Sequence, residues 1–151
     1  MTFLSQIQSA TARRQSEYIG EGRYLCELLD FKEGVSRKGR DFVVAEMKVI
    51  DSDNPERHPQ GAERSWMQMT DTDTAARNVR GFLTRALNVS DDGLTDDMIE
   101  AAFEMNEETG KSDLSGLMIG INARNITTRK GNLFTVCDFY AVNQDVTSLD
   151  G

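Results

Sequence analysis

Apolar and polar positions follow two different rhythms along this chain. Residues 23–32 (RYLCELLDFK) alternate, with Tyr24, Cys26 and Leu28 on one side and Arg23, Leu25, Glu27 and Leu29 on the other. Alternation of period two predicts a strand, here with both faces partly apolar. EGVSRKGR follows, a loop with Gly, Ser and three bases. Residues 41–50 (DFVVAEMKVI) predict a second strand from their β-branched content. The glycine-bearing link between the two predicts a long hairpin. DSDNPERHPQ (51–60) carries both prolines and no period, so it reads as a loop. Residues 61–70 (GAERSWMQMT) form a third, polar strand.

The period then lengthens. Asp71 or Thr72 is placed to cap a helix reaching about Leu87. Ala75, Ala76, Val79, Phe82, Leu83, Ala86 and Leu87 recur at helical spacing, which leaves Arg77 and Arg85 outward. SDDG breaks this helix, and a second begins at Thr95, with Met98, Ile99, Ala102 and Phe103 as its apolar stripe. Period two returns in LMIGINARNITT and, after the turn TTRKGN, in LFTVCDFYAV.

The order is three strands, one or two helices, then two strands. It lacks the strand–helix alternation of a parallel sheet. The expectation is a mainly β fold: a five-stranded OB-fold, or Greek-key barrel, with the helices between strands three and four. A five-stranded open sheet with helices on one face is the structural rival. Residues 1–17 would be an arm or short helix, 18–142 the domain with an acidic helical insert at 71–113, and 143–151 a flexible acidic tail.

Composition narrows the function. The chain has 151 residues, 38% apolar and 28% charged. A chain of that length buries about 68–70% of its unfolded surface and needs no disulfide or metal to fold. No apolar run reaches the roughly 20 residues of a membrane helix. The first residues lack the pattern of a secretory signal. Two cysteines, Cys26 and Cys137, sit inside predicted strands, which fits a reduced, cytoplasmic protein. The single histidine, His58, stands in a proline-flanked turn and leaves little for histidine-based metal or triad chemistry. That weakens most enzyme readings, and the expectation is no metal site.

The net charge of −8 argues against simple attraction to nucleic acid. Its distribution matters more. Residues 71–113 hold eleven acids against four bases and the last nine hold two acids and no base, leaving the remainder at +1. That remainder contains an internal echo. SRKGRDFVVAEMKV (36–49) and TRKGNLFTVCDFYA (128–141) share a hydroxyl residue, Arg-Lys-Gly, and then Phe, Val and an acid in register. Gly39 and Gly131 supply the positive φ of a tight turn. Arg37, Lys38, Arg129 and Lys130 would then project from hairpin tips, joined by Arg40. In an OB-fold these two turns border the oligonucleotide-binding face, at whose mouth they would hold a phosphate backbone between them.

With Val43, Ala45, Met47 and Val49 inward, Phe42, Val44, Glu46 and Lys48 face out. By the same reasoning Phe134, Val136, Asp138 and Tyr140 face out, as do Asn122 and Arg124. Placing Met67 and Met69 in the core turns Arg64, Trp66 and Gln68 outward. The resulting surface interleaves Trp66, Phe42 and Phe134 with Arg64, Arg124 and Lys48. Bases stack on aromatic faces and phosphates meet cations, so this surface suits single-stranded nucleic acid. Phe42 and Phe134 have the alternative of packing in the core.

These residues resemble the OB-fold single-stranded-DNA-binding proteins encoded by bacteriophages. The resemblance lies in GRYLCELLDFKEGVSRKGRDFVVAEMKVIDS, in the Trp-bearing third strand followed by a helix, and in LMIGINARNITTRKGNLFTVCDFYAV, across roughly residues 18–142. It implies coating of single-stranded DNA in phage replication, recombination or repair, within the host cytoplasm, with no catalysis and no cofactor. RNA is the second choice of ligand. Replication or recombination proteins would be partners, a homodimer stays open, and no membrane is involved. The tail, NQDVTSLDG, has two acids and no terminal aromatic, unlike the acidic recruiting tails such proteins often carry. The competing class is a protein-interaction module or acidic DNA mimic acting through the acidic helices. A magnesium nuclease built on Glu46 or Asp138 is the third.

Overall fold

The computed structural model of the protein describes residues 17–108 and 110–142. The expected tail and all of the expected arm but Glu17 lie outside the described residues. In chain order the elements are β1 (Glu17–Tyr18), β2 (Gly22–Val35), β3 (Asp41–Ser52), β4 (Glu63–Met69), α1 (Ala75–Leu87), α2 (Asp96–Phe103), β5 (Met118–Thr127) and β6 (Leu133–Tyr140). The fold is mainly β with two helices between β4 and β5. The five long strands were all expected from the sequence, and the two-residue β1 makes a sixth.

All six belong to one sheet in the order β1-β4-β3-β2-β5-β6. β1 runs parallel to β4 and every other pairing is antiparallel. β2 is the hub. It pairs with β3 along nearly its whole length, and with β5 only from Gly22 to Glu27. The register between β2 and β3 slips between Leu28 and Asp30. That bulge inserts Leu29 and turns Phe31 onto the face already holding Tyr24, Cys26 and Leu28. All four are buried.

The sheet curls strongly. Three strands separate β4 from β6, so in a flat sheet they would lie about 19 Å apart at the usual spacing of about 4.8 Å. Yet the rings of Trp66 on β4 and Phe139 on β6 have centroids only 4.9 Å apart. The result is a half-barrel. Its concave face carries Val43, Ala45, Met47, Val49, Ile119, Ile121 and Ala123, all buried. Helix α1 lies across the open side and inserts Phe82 and Leu83 into the core.

α1 begins later than expected. Its N-cap is Thr74, and the chain from Asp71 to Thr74 is a turn. Asp71 does not cap it because its carboxylate accepts two hydrogen bonds from the Arg40 guanidinium, at 2.7 and 2.8 Å. The helix ends at Asn88 in the left-handed conformation, φ 55°, with N–H groups folding back onto Arg85 and Thr84 carbonyls. α2 starts as expected, with the Thr95 hydroxyl accepting from the Met98 N–H and Asp96 and Asp97 in the positive first turn. No described helix is long and apolar enough to cross a membrane.

Candidate nucleic-acid interface

The sequence echo is an echo of backbone structure. In the first turn the Ser36 N–H donates to the Arg40 carbonyl at 2.8 Å and the Gly39 N–H to the Ser36 carbonyl at 2.9 Å. In the second the Thr128 N–H donates to the Asn132 carbonyl at 2.8 Å and the Gly131 N–H to the Thr128 carbonyl at 2.9 Å. The leading hydroxyl does the same work in each. Ser36 Oγ accepts from the Arg40 N–H at 3.1 Å and Thr128 Oγ1 from the Asn132 N–H at 3.2 Å. Gly39 and Gly131 sit at φ 80° and 83°, the glycine bulge that closes a three-residue hairpin loop. Arg-Lys at the two central positions therefore projects into solvent in both. Arg37, Lys38, Arg129 and Lys130 are exposed and make no ion pair among the described residues.

The two turns leave the sheet at opposite ends of β2. Val35 pairs with Asp41 beside the first turn, whereas Ala123 on β5 lies opposite Gly22 and β5 runs on past it to the second. The tips stand apart rather than together at one mouth, and a ligand touching both has to cross the sheet.

The remaining expected residues divide. Phe42 and Lys48 lie on the convex face, as expected from the burial of their alternate neighbours. Phe42 is not a free platform, since its ring lies over Gly34, its cross-strand partner. Phe134 does project, 59% exposed, beside Leu133 at 74%. Arg124 faces out and contacts Asp138 at 3.2 Å. Arg40 is held by Asp71, whose carboxyl is in turn kept below its ordinary range by that hydrogen bond. Lys32 lies between Asp30 and Glu46, at 3.9 and 3.8 Å. Much of the convex face is thus charge-balanced.

Two expectations on β4 are corrected. Trp66 does not face out. It is opposite Ala45 on the concave face, stacks on Phe82 at 5.2 Å and meets Phe139 edge-on. Arg64 is in phase with it and is committed to structure. Its Nε–H donates to His58 Nδ1 at 2.8 Å, and its other nitrogens to the Glu63 and Arg57 carbonyls. The convex positions of β4 are those of Met67 and Met69, opposite Val44 and Phe42.

His58, read from the sequence as a turn residue, is 1% exposed. Its Nε2 lies 3.1 Å from the Gly20 N–H, and its ring sits edge-on to Tyr24. With Nδ1 accepting from Arg64, the proton of the neutral ring sits on Nε2, and a second proton at Nδ1 would displace the Arg64 hydrogen bond. Burial lowers its pKa first, and the Arg64 and Arg57 charges add to that. Burial also pushes the Tyr24 hydroxyl and the Cys26 and Cys137 thiols up to about 12, so neither cysteine is a thiolate at neutral pH.

Between β4 and β6 runs a cleft of about 580 Å³. Its floor is the ring cluster of Trp66, Phe82 and Phe139, with Phe82 edge-on to Phe139 at 5.0 Å. One wall is β6 from Leu133 to Phe139, and the other is Ser65 to Gln68 with Tyr18. Helix α1 lines it with Arg77, Asn78, Gly81 and Arg85. Asn78 is fixed there by donating to Gln68 Oε1 at 3.0 Å. The sequence places Arg77 and Arg85 outward but carries no signal that this outward face borders a cleft. Phe139 was equally unmarked, although its place in the echo, opposite Met47 of the first copy, is an inward one.

No group of three or more metal-ligating side chains occurs among the described residues. Glu46 and Asp138, on β3 and β6, do not form a pair. No protein-family model and no curated protein matches the chain.

Proposed function

We propose that this protein binds single-stranded DNA without strong sequence preference and performs no chemistry on it. One observation carries the reading: two Arg-Lys-Gly turns of the same construction present four exposed cations with no acidic partner among the described residues. Cations so placed meet phosphates at no cost of breaking an ion pair, and they carry no base preference. The order β4-β3-β2-β5-β6 supports the OB-fold assignment, since it is the strand order of that barrel before its last seam closes. Coating of single strands in phage replication, recombination or repair is the role that the resemblance adds. The acidic bulk between α1 and β5 limits contact to the basic parts of the surface.

The test is binding of end-labelled oligo-dT by anisotropy across a salt series, with a duplex control. Each phosphate neutralised on a single strand contributes about 0.7 to the slope of log K on log salt. Changing Arg37, Lys38, Arg129 and Lys130 together to Ala is expected to lower affinity and reduce that slope by up to about 3. Wild-type protein that binds no oligonucleotide overturns the reading. A second reading, a protein-docking module, rests on Met105, 72% exposed among Glu104, Glu107, Glu108 and Asp113. Absence of nucleic-acid binding together with a partner lost on Met105→Ser would favour it.

A further inference from the structure

The strand has two surfaces to choose between, the convex sheet and the cleft. We infer that the bases lie in the β4–β6 cleft, with Arg77 and Arg85 of α1 taking the phosphates; this rests on the single-strand reading above. Three observations carry it. The first is charge. Asp138 is the one acid lining the cleft, and Arg124 engages it. Of the three arginines on α1, Arg80 is tied to Asp91 at 2.6 Å, whereas Arg77 and Arg85 make no ion pair among the described residues. On the convex face, free cations stand at the two hairpin tips, whereas Arg124 and Lys32 on the strands are engaged by acids.

The second is spacing. Arg77, Gly81 and Arg85 are four residues apart, so they share one side of the helix. Eight residues at 1.5 Å separate the two arginines by about 12 Å along the axis. At the roughly 3.4 Å rise of a stacked strand, that spans about three nucleotides. The partly buried rings of Phe139 and Trp66 line the same cleft, and such rings are what bases stack on.

The third is Gly81 itself. A glycine inside a helix costs about 1 kcal/mol relative to alanine. Here nothing in the fold asks for it. A Cβ at this position meets no atom within 4 Å. The space it keeps open is the cleft midway between the two arginines. A residue that lowers helix stability and leaves that space empty is what a groove for a ligand requires.

Gly81→Leu is therefore the informative variant, because it improves helix propensity and fills the cleft. Its melting temperature is expected to be equal to or above wild type, with oligo-dT affinity down at least tenfold. Arg77→Ala with Arg85→Ala is expected to lower the salt slope by about 1.4, two phosphates at about 0.7 each. Trp66, the only tryptophan, is expected to change its fluorescence on titration. Wild-type binding of the labelled strand that Gly81→Leu and the double arginine variant both leave unchanged, with silent Trp66 fluorescence, overturns the cleft and leaves single-strand binding standing. No binding by wild type overturns both. Should Gly81→Leu disturb the fold, the double variant at two exposed side chains decides alone.

Discussion

Phe82 ties the two ends of the curled sheet to its centre. It is buried, and its ring meets three others from three different strands. It stacks on Phe31 of β2 at 5.3 Å and 12°, on Trp66 of β4 at 5.2 Å and 21°, and meets Phe139 of β6 edge-on at 5.0 Å. Removing a buried phenyl ring costs about 3–5 kcal/mol through lost burial and the cavity left behind. Three aromatic pairs at about 0.5–1.5 kcal/mol each place Phe82→Ala at the upper end, about 4–5 kcal/mol. Phe82→Leu keeps most of the volume and loses mainly the three ring pairs, about 1.5–4.5 kcal/mol. For a chain of this length each kcal/mol shifts the melting temperature by about 2–4 °C, so the alanine variant should fall by about 8–20 °C. Urea unfolding followed by Trp66 fluorescence and by far-ultraviolet circular dichroism measures both variants. A loss below about 1 kcal/mol for Ala refutes the keystone role. A leucine variant as stable as wild type refutes the contribution of the ring pairs.

Stability should depend on pH through His58, whose folded pKa lies below the ordinary 6.5. A base depressed in the folded state is protonated first in the unfolded chain. Stability is therefore full above about pH 7 and falls as pH drops through 6.5 toward the folded value. Urea midpoints for wild type and His58→Gln between pH 7 and 5 should diverge in slope, and parallel lines would remove His58 as the cause. At the twin turns, Gly39→Ala and Gly131→Ala each introduce a side chain at positive φ with nothing nearby to clash. Each should cost about 1 kcal/mol, the left-handed penalty less the entropy gained in the unfolded chain, and the two should add. A neutral or stabilising effect in urea unfolding at either turn would contradict its role.

What was legible in the sequence follows from local physics. The long strands announced themselves by period two and β-branched content. The two turns did so by glycine after Arg-Lys. The faces of β3 and β5 followed from which alternate residues were consistently apolar, and those of β6 from its echo of β3. β4 failed for an identifiable reason. Its two methionines look like core and its Arg, Trp and Gln look like surface, but α1 covers the concave side there with rings and an amide, so Trp66 and Gln68 find partners inward. Asp71 depends on a partner distant in sequence, Arg40, and Arg64 on a loop six residues earlier that folds back to bring His58 to it, which no strand or helix period reveals. The cleft belongs to the same class, because it exists only where two ends of the sheet and a helix meet.

The curl has a further consequence for how the chain behaves at high concentration. An unpaired strand edge is a template for another molecule's strand, and this sheet has two such edges. The first half of β4 is covered by β1, and the Ile19 N–H takes the Ser65 carbonyl. The outer edge of β6 lines the cleft, across from a helix whose Arg77 and Arg85 make no ion pair among the described residues. A second copy's strand would have to thread a ring-floored slot and face like charge from its own arginines. Bending the sheet so that its margins look at each other thus guards against edge-to-edge aggregation without a single proline in either margin.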